Sequence, residues 1–287
     1  MSKEGLKNYR KKHPHQVRMT SEEYATWKGK KIPNQIGQKW LVLPDVHRPF
    51  HNKVLWRKIM QYISDNKHNI YGIVLPGDYL DLYTLGSYNE NSLKNLSGIT
   101  LEGEYQDGLD GLHDINYALG RFKDSVKKYY LWGNHEDRYF REIAKGDKAK
   151  YGGALMCPTE ALMLRELGWE VKEDWKDDFF TLGDHLDIIH GIYCNVHTAK
   201  KHLDMTGRSV MFGHTHRVQM FRQGNRAAFN IGWLGDVKHK VFNYMPRFQK
   251  EVWANGFAEV FIDDRGDFFV DQISIYNDRF FINGKMY

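Results

Sequence analysis

Short apolar runs, each stopped by a glycine or proline and a polar cluster, constrain the fold of this chain most. Three of them, at 39–45, 70–78 and 126–134, have the length and composition of strands that are buried on both faces. Between the first two, residues 52–66 place apolar side chains at helical spacing. Strands that alternate with helices predict βαβ units and a mostly parallel sheet.

The second half of the chain is richer in strands. Residues 179–191 indicate two strands around a Gly-Asp turn, and 209–214 indicate another strand. Further hairpins are predicted at 218–232 and 256–276. Helices are predicted at about 100–125, despite its glycines, and at 197–205. The predicted fold class is therefore α/β (α+β), with two packed sheets and helices outside them.

Composition excludes several classes of protein. With 287 residues, 41% hydrophobic and 14% aromatic, the chain is predicted to bury a substantial core and not to be disordered. It contains no apolar run long enough to span a membrane and no apolar segment behind its charged N-terminus. Its only cysteines, Cys157 and Cys194, have no pairing pattern, which favours a reduced, cytoplasmic location. Any transition metal would then depend on His, Asp, Glu or Asn.

The positive charge is concentrated at the N-terminus. Residues 1–39 contain ten Lys/Arg and three Glu, a net +7, so the rest of a chain whose total is +5 carries about −2. We therefore divide the chain into a basic N-terminal extension, 1–38, and a domain, 39–287, with a helical insertion at about 82–125. The extension could bind a nucleic acid, or it could be a solvated segment on the surface. The insertion could form a wall or lid over a site, or face solvent.

Each strongly apolar predicted strand ends in side chains that can bind metals. Ligands of open α/β sheets bind where the carboxyl ends of strands converge, so these residues are predicted to meet. Each motif alone has an ordinary explanation, such as a helix cap, a turn or a core histidine. Together and in order they predict a site formed by Asp45 and His47, Asp78 and Asp81, Asn134 to Glu136, His190, and His214 and His216.

The residue types favour a pair of transition-metal ions. In Asp-x-His both side chains can lie on one side of an extended segment, and a preceding glycine permits a tight turn. Carboxylate, amide and imidazole donors together suit Mn, Fe, Zn or Ni better than Ca or Mg. Two such ions about 3.5–4 Å apart can hold a bridging hydroxide and stabilise an in-line displacement at phosphorus.

The ordered motifs resemble the calcineurin-like metallophosphoesterase family, including its phage and bacterial dinuclear members. The resemblance covers about 45–216, and it implies a four-layer αββα sandwich of two mixed sheets between helices. It further implies two divalent ions, with Mn favoured. One would be held by Asp45, His47, Asp78 and His216, and the other by Asp78 as the bridge with Asn134, His190 and His214.

The same resemblance assigns a catalytic role to His135 that is not metal binding. His135 would donate a proton or a hydrogen bond to the leaving oxygen, and Asp81 would orient its ring. Asp81 could instead be a helix or turn cap.

The sequence departs from the protein-phosphatase branch at one position of the motif. In that branch a phosphate-binding arginine follows the second aspartate of the motif. Here Leu82 and Tyr83 follow that aspartate, Asp81. Arg138 and Arg217 are the candidates for binding phosphate, Arg48 is a weaker one, and each could be a surface salt bridge instead.

The pattern predicts a dinuclear-metal phosphoesterase in which a metal-bridged hydroxide attacks phosphorus. Phosphodiesters, including nucleic acids, are the favoured substrates, and the enzyme would then be a phosphodiesterase or nuclease. One alternative is a phosphomonoesterase resembling the serine/threonine phosphatases. Another is a non-catalytic metal-binding scaffold, although such proteins usually lack ligands and all seven positions are filled here.

Overall fold

The computed structural model describes residues 37–86, 98–146 and 154–287. Strand and helix alternate in the first half as the sequence predicts. The elements there are β1 (Gln38–Val42), α1 (Lys53–Asn66), β2 (Ile70–Pro76), the 3-10 helix η1 (Tyr83–Leu85), α2 (Leu101–Leu119), the 3-10 helix η2 (Gly120–Phe122), β3 (Lys127–Leu131) and α3 (Arg138–Lys145).

The second half consists mainly of strands. Its elements are α4 (Pro158–Ala161), β4 (Glu170–Lys172), β5 (Phe180–Leu182), β6 (Leu186–Ile188), α5 (Thr198–Thr206), β7 (Ser209–Phe212), β8 (Val218–Gln223), β9 (Arg226–Ile231), the 3-10 helix η3 (Lys240–Tyr244), α6 (Arg247–Lys250), β10 (Gly256–Ile262), β11 (Phe268–Ser274), β12 (Phe281–Ile282) and β13 (Lys285–Met286).

Two mixed sheets form the framework of the described residues. The first has the strand order β11-β10-β1-β2-β3-β4, and the second has the order β5-β6-β7-β9-β8. The neighbours from β1 to β4 are parallel, and β10 pairs with β1 antiparallel. In the second sheet β6, β7 and β9 are parallel neighbours. Strands β12 and β13 form a separate two-stranded ribbon.

Successive side chains of a strand point to opposite faces of its sheet, and in β1 these two faces contact different layers. Trp40 and Val42 of β1 pack in a cluster with residues of the second sheet, whereas Leu41 packs with α1 and α2 on the opposite face. On the outer face of the second sheet, Leu203 of α5 packs with Val210 of β7. The order of layers is thus helix, sheet, sheet, helix, and the predicted fold class is confirmed.

The insertion holds a helix close to the first sheet. Thr100 caps α2 by accepting a hydrogen bond from the Gly103 amide at 3.1 Å. The glycines of α2 are explained by close packing, since a Cβ at Gly111 would lie 1.6 Å from Nη1 of Arg48. The described part of the insertion therefore packs against the loops that follow β1 and β2. Residues 87–97 of the insertion lie outside the described residues.

Two further predictions concern the basic extension and membrane-spanning segments. The basic extension falls almost entirely outside the described residues, and its role stays a prediction. Among the helices of the described residues, none has the length and apolar character needed to cross a membrane.

Candidate metal centre

The predicted ligands follow strands whose carboxyl ends point to one edge of the sandwich. Strands β1, β2 and β3 run parallel in the first sheet, and β6 and β7 run parallel in the second. Backbone hydrogen bonds fasten the loops to one another. The His47 amide donates to the Asp78 carbonyl at 2.9 Å, and the Gly213 amide donates to the His190 carbonyl at 3.1 Å. The five strand ends therefore form one site.

The backbone is left-handed at five of the predicted ligands. This conformation is uncommon for residues other than glycine and costs on the order of 1–3 kcal/mol at each position. Strain of this kind is kept where a side chain must be aimed in one direction. The φ angles are 41° at Asp45, 54° at His47, 49° at Asp78, 64° at His214 and 58° at His216.

Glycines let the strand ends approach each other. A Cβ at Gly133 would lie 2.1 Å from Oδ1 of Asp78, and a Cβ at Gly213 would lie 2.6 Å from Oδ2 of Asp45. Gly77 has a φ of +92°, and a Cβ there would lie 2.6 Å from Nδ1 of His190. These three glycines therefore make room for ligands from other strands.

One group of possible ligand atoms lies around His47. Its Nε2 is 3.0 Å from Nε2 of His216 and 3.9 Å from Oδ2 of Asp78. His216 is buried and stacks on Trp233, with ring centroids 4.4 Å apart and an interplanar angle of 9°. The buried Trp233 is thus part of the core behind the site.

A second group lies around His190. Its Nε2 is 3.0 Å from Oδ1 of Asn134, 3.1 Å from Nδ1 of His214 and 3.4 Å from Oδ2 of Asp78. The opposite nitrogen of His190 lies 3.0 Å from the Pro76 carbonyl oxygen, which sets the orientation of the ring.

Asp78 belongs to both groups. Ligand atoms of His47, Asp78 and His135 lie within 4.8 Å of one another, and so do those of Asp78, His190 and His214. The described residues therefore offer two groups that could hold metal ions and that share one carboxylate. Because His135 is in the first group, distance alone does not separate it from the ligands.

The donors fit a cation. Both carboxylate oxygens of Asp45 are buried and meet no hydrogen-bond donor among the described residues, although the group lies 3.7 Å from Nδ1 of His190. Burial raises the pKa of Asp45 to about 8. A bound metal ion would stabilise the charged form of such a buried carboxylate. Burial also lowers the pKa of His214 to about 3, so that its imidazole is neutral, which is the form that binds metals.

The predicted pair of Asp81 and His135 is in contact, but through atoms other than those expected. Oδ2 of Asp81 lies 2.8 Å from Nδ1 of His47 and 3.7 Å from Nδ1 of His135. His135 Nδ1 instead lies 2.6 Å from the backbone carbonyl oxygen of Asp81. The carboxylate therefore orients a predicted metal ligand, and the carbonyl of the same residue orients His135.

Arg138 completes this unit. It donates from Nη1 to the carbonyls of Asp81 at 2.8 Å and Leu82 at 3.2 Å, and its Nη2 lies 3.0 Å from Nε2 of His135. Burial, and then the charge of Arg138, lower the pKa of His135 to about 3. His135 is thus neutral here, with Nε2 accepting. It can donate to a leaving oxygen only after it gains a proton and Arg138 turns away.

The other candidate arginines occupy different places. Arg217 donates from Nη1 to the Asn195 carbonyl at 3.3 Å, and its buried Nε has no partner among the described residues. Arg48 pairs with Asp107 of α2 at 2.7 Å and is buried, so it supports the loop after β1. A buried donor without a hydrogen-bond partner among the described residues is therefore left on Arg217, at Nε, and on Arg48, at Nη1.

Sequence reasoning assigned no role to Glu136. Its buried carboxylate accepts hydrogen bonds from the amides of Asp78 at 3.0 Å, Leu80 at 2.9 Å and Gly133 at 2.9 Å. The Tyr130 hydroxyl donates to it at 2.9 Å. Glu136 therefore joins the loops after β2 and β3, and the signal for it was an acid within an otherwise metal-binding motif.

Two further side chains at the site were also missed. Sγ of the exposed Cys194 lies 3.0 Å from Nε2 of His214. The Trp175 ring follows β4 and has its centroid 6.0 Å from that of His190. Strand β4 has three residues, which is too short for its pattern to be recognised in the sequence.

Comparison with known proteins gives weak structural likenesses. No family model matches the chain, and no curated protein matches it significantly. Vps29 from Cryptosporidium parvum is 11% identical, with a TM-score of 0.43 over 88% of this chain and 95% of that one. Zn-complexed wild-type Vps29 from Entamoeba histolytica is 10% identical, with a TM-score of 0.42 over 87% and 96%.

A conserved protein from Streptococcus pneumoniae, a predicted phosphoesterase, is 13% identical, with a TM-score of 0.34 over 88% of this chain and 96% of that one. These TM-scores are too low to indicate a function. The chain's own architecture gives the firmer result. It has the two mixed sheets between helices that its resemblance to the calcineurin-like metallophosphoesterases implies, and it brings the motif residues of that resemblance to one edge of the sandwich.

Proposed function

We propose that this protein is a phosphoesterase that depends on two divalent metal ions. The observation that carries the proposal is the position of Asp78, a buried carboxylate that belongs to both groups of possible ligands. One ion would be held by Asp45, His47, Asp78 and His216. The other would be held by Asp78, Asn134, His190 and His214.

Metal ions bound there would supply Lewis acidity, which lowers the pKa of a water molecule and neutralises charge on a phosphoryl group. Imidazole, carboxylate and amide donors together suit Mn, Fe, Zn or Ni better than Ca or Mg, and the resemblance to the metallophosphoesterases favours Mn among them. The chain's own residues orient these donors. Asp81 fixes the ring of His47 through Nδ1, and the Pro76 carbonyl fixes His190.

Substrate binding would depend on Arg217 and Arg138. Arg217 has an unpartnered Nε, and its planar guanidinium suits two phosphate oxygens. Arg138 donates to backbone carbonyls and to His135. An anion that drew the Nη2 group of Arg138 away would leave Nε2 of His135 free to take up a proton and donate it to a leaving oxygen.

Phosphodiesters are the favoured substrate class within this proposal. The motif lacks the arginine with which the protein-phosphatase branch grips a terminal phosphate, and the N-terminal extension is basic. Nucleic acid is accordingly the polyanion that we would test first. Phosphomonoesters are the second candidate, supported by the Gly-Asn-His-Glu motif at 133–136.

A non-catalytic scaffold is the alternative of another class. Against it stands the complete set of seven ligand positions, several of which keep left-handed backbone conformations that are costly to retain.

The experiment that tests the proposal compares two substrates on the same Mn²⁺-loaded protein. We expect bis-p-nitrophenyl phosphate to be hydrolysed faster than p-nitrophenyl phosphate, and hydrolysis of both to stop in excess chelator. Faster hydrolysis of the monoester would overturn the preference for diesters. If neither ester is hydrolysed while metal is bound, the scaffold alternative replaces the enzyme.

A further inference from the structure

The helix of the insertion carries a buried acid that faces the active-site loops. Glu104 of α2 is fully buried. Its carboxylate accepts hydrogen bonds from the backbone amides of Tyr83 at 2.6 Å and Thr84 at 3.0 Å. It also accepts from Oγ1 of Thr84 at 2.6 Å. Glu104 thus binds three donors of a single turn, η1.

The turn held by Glu104 begins directly after the carbonyls that orient His135 and Arg138. Leu82, the residue before η1, has a left-handed φ of 46°. This strained residue connects the turn to Asp81. His135 lies 2.6 Å from the Asp81 carbonyl, and Arg138 donates to the carbonyls of both Asp81 and Leu82. A shift of η1 therefore moves the acceptors of two candidate catalytic side chains.

Other contacts of α2 restrain the loops after β1 and β2 but do not involve η1, the turn that follows the carbonyls of Asp81 and Leu82. The Tyr79 hydroxyl donates to the Gly108 carbonyl at 2.6 Å, and Arg48 pairs with Asp107. These contacts support the loops that bear Asp78 and His47. Among the described residues, Glu104 is the side chain of α2 that hydrogen-bonds to η1.

We propose that Glu104 is a positioning residue, which holds η1 so that the carbonyls of Asp81 and Leu82 orient His135 and Arg138. The inference rests on the proposed phosphoesterase function for its kinetic consequences. Its structural consequence, the orientation of the His135 ring, does not depend on that function.

The side chain at position 104 has to be a hydrogen-bond acceptor. Three donors converge on Glu104, and a carboxylate can accept all of them. The amide of a Glu104→Gln variant presents an NH₂ group to at least one donor, so that variant keeps the size of the side chain but loses part of the anchoring. A buried donor that loses its acceptor is costly, and a short turn such as η1 can shift to regain one.

The kinetic test uses Glu104→Gln, with Glu102→Gln on the exposed face of the same helix as the control. We expect Glu104→Gln to lower kcat about tenfold or more for an ester with a poor leaving group, such as an alkyl ester, and to raise KM by a smaller factor because Arg138 is also less well oriented. For p-nitrophenyl esters, which need little help in leaving, we expect a smaller loss. Glu102→Gln should behave as the unmodified protein.

A double-mutant cycle with His135→Ala asks whether Glu104 acts through His135. If it does, adding Glu104→Gln to His135→Ala lowers kcat by a much smaller factor than Glu104→Gln does alone. Fully multiplicative losses would overturn the proposal. Loss of bound Mn²⁺ together with a fall in kcat would also overturn it, since Glu104 would then stabilise the loops that bind the metal and not the orientation of His135.

A measurement without turnover separates this inference from the proposed function. We would record the ¹⁵N shifts of the His135 ring by NMR in the unmodified protein, Glu104→Gln and Thr84→Val. We expect an Nδ1–H tautomer in the unmodified protein, a mixture of tautomers in Glu104→Gln, and a smaller change in Thr84→Val, which retains both backbone bonds. An unchanged His135 ring in Glu104→Gln would overturn the inference even if the enzyme were active, and a changed ring would support it even if no ester were hydrolysed.

Discussion

At the scale of the residue, His135 has the most specific environment of the candidate catalytic side chains. Both of its ring nitrogens have protein partners, the Asp81 carbonyl at one and Arg138 at the other. The backbone amide of His135 donates to Oδ1 of Asp78 at 2.9 Å. The residue is therefore held to the shared carboxylate through its main chain, independently of its ring.

Replacing His135 by alanine should therefore separate catalysis from metal binding. We expect His135→Ala to retain its bound metal, because its main-chain bond to Asp78 remains. The rate should fall by about a hundredfold or more, and least for substrates with good leaving groups. Metal analysis and kcat for aryl and alkyl esters test this prediction. Loss of metal would show that His135 is a ligand.

Single residues also show how far the sequence could predict the site. Asp45, His190 and His216 were predictable because each follows an apolar strand whose carboxyl end must lie at the sheet edge. The partner of the Asp81 carboxylate was not predictable. His47 and His135 both lie within reach, at 2.8 Å and 3.7 Å from Oδ2 of Asp81, and their spacing in the sequence does not distinguish them.

At the scale of the element, α2 shows why a helix can contain several glycines. Gly108 and Gly111 lie where the helix meets the active-site loops, and a Cβ at Gly108 would be 2.4 Å from Cδ2 of Leu80. The sequence alone indicated a helix here but could not say which glycines are required, since that depends on what packs against each one.

We expect Gly111→Ala to destabilise the protein in spite of its better helix propensity. The new Cβ would lie 1.6 Å from Nη1 of the buried Arg48, and relieving such overpacking costs about 1–3 kcal/mol against a gain of about 1 kcal/mol. Chemical denaturation should show a net loss of up to about 2 kcal/mol. Gly103→Ala is the control, because its nearest atom is Oγ1 of Thr100 at 3.1 Å. Equal stability of the two variants would contradict this account of α2.

Other elements were missed for physical reasons. Strand β4 forms where Val171 pairs with Tyr130 of β3. A segment of three residues is too short for this pairing to be predicted from its sequence. The helices η3 and α6 were missed as well, and η3 brings Phe242 into the aromatic cluster beside His47. Elements this short are determined by the surface that they cover and not by their own periodicity.

At the scale of the whole molecule, the basic extension and the metal centre are predicted to be separable. Deleting residues 1–38 should weaken binding of a single-stranded oligonucleotide and flatten its salt dependence, because fewer counterions would be released. Hydrolysis of bis-p-nitrophenyl phosphate should not change. Fluorescence anisotropy at several salt concentrations measures the binding. If the affinity for the oligonucleotide is unchanged by the deletion, the extension does not contribute to nucleic-acid binding.

The count of bound ions tests the central claim most directly. We would titrate the metal-stripped protein with Mn²⁺ and count bound ions by calorimetry and elemental analysis, for the unmodified chain and for Asp78→Asn. The account predicts two ions per chain in the unmodified protein. In Asp78→Asn, which lacks the shared carboxylate, it predicts at most one ion and no turnover. A single ion in the unmodified protein, or two ions with full activity in Asp78→Asn, would contradict it.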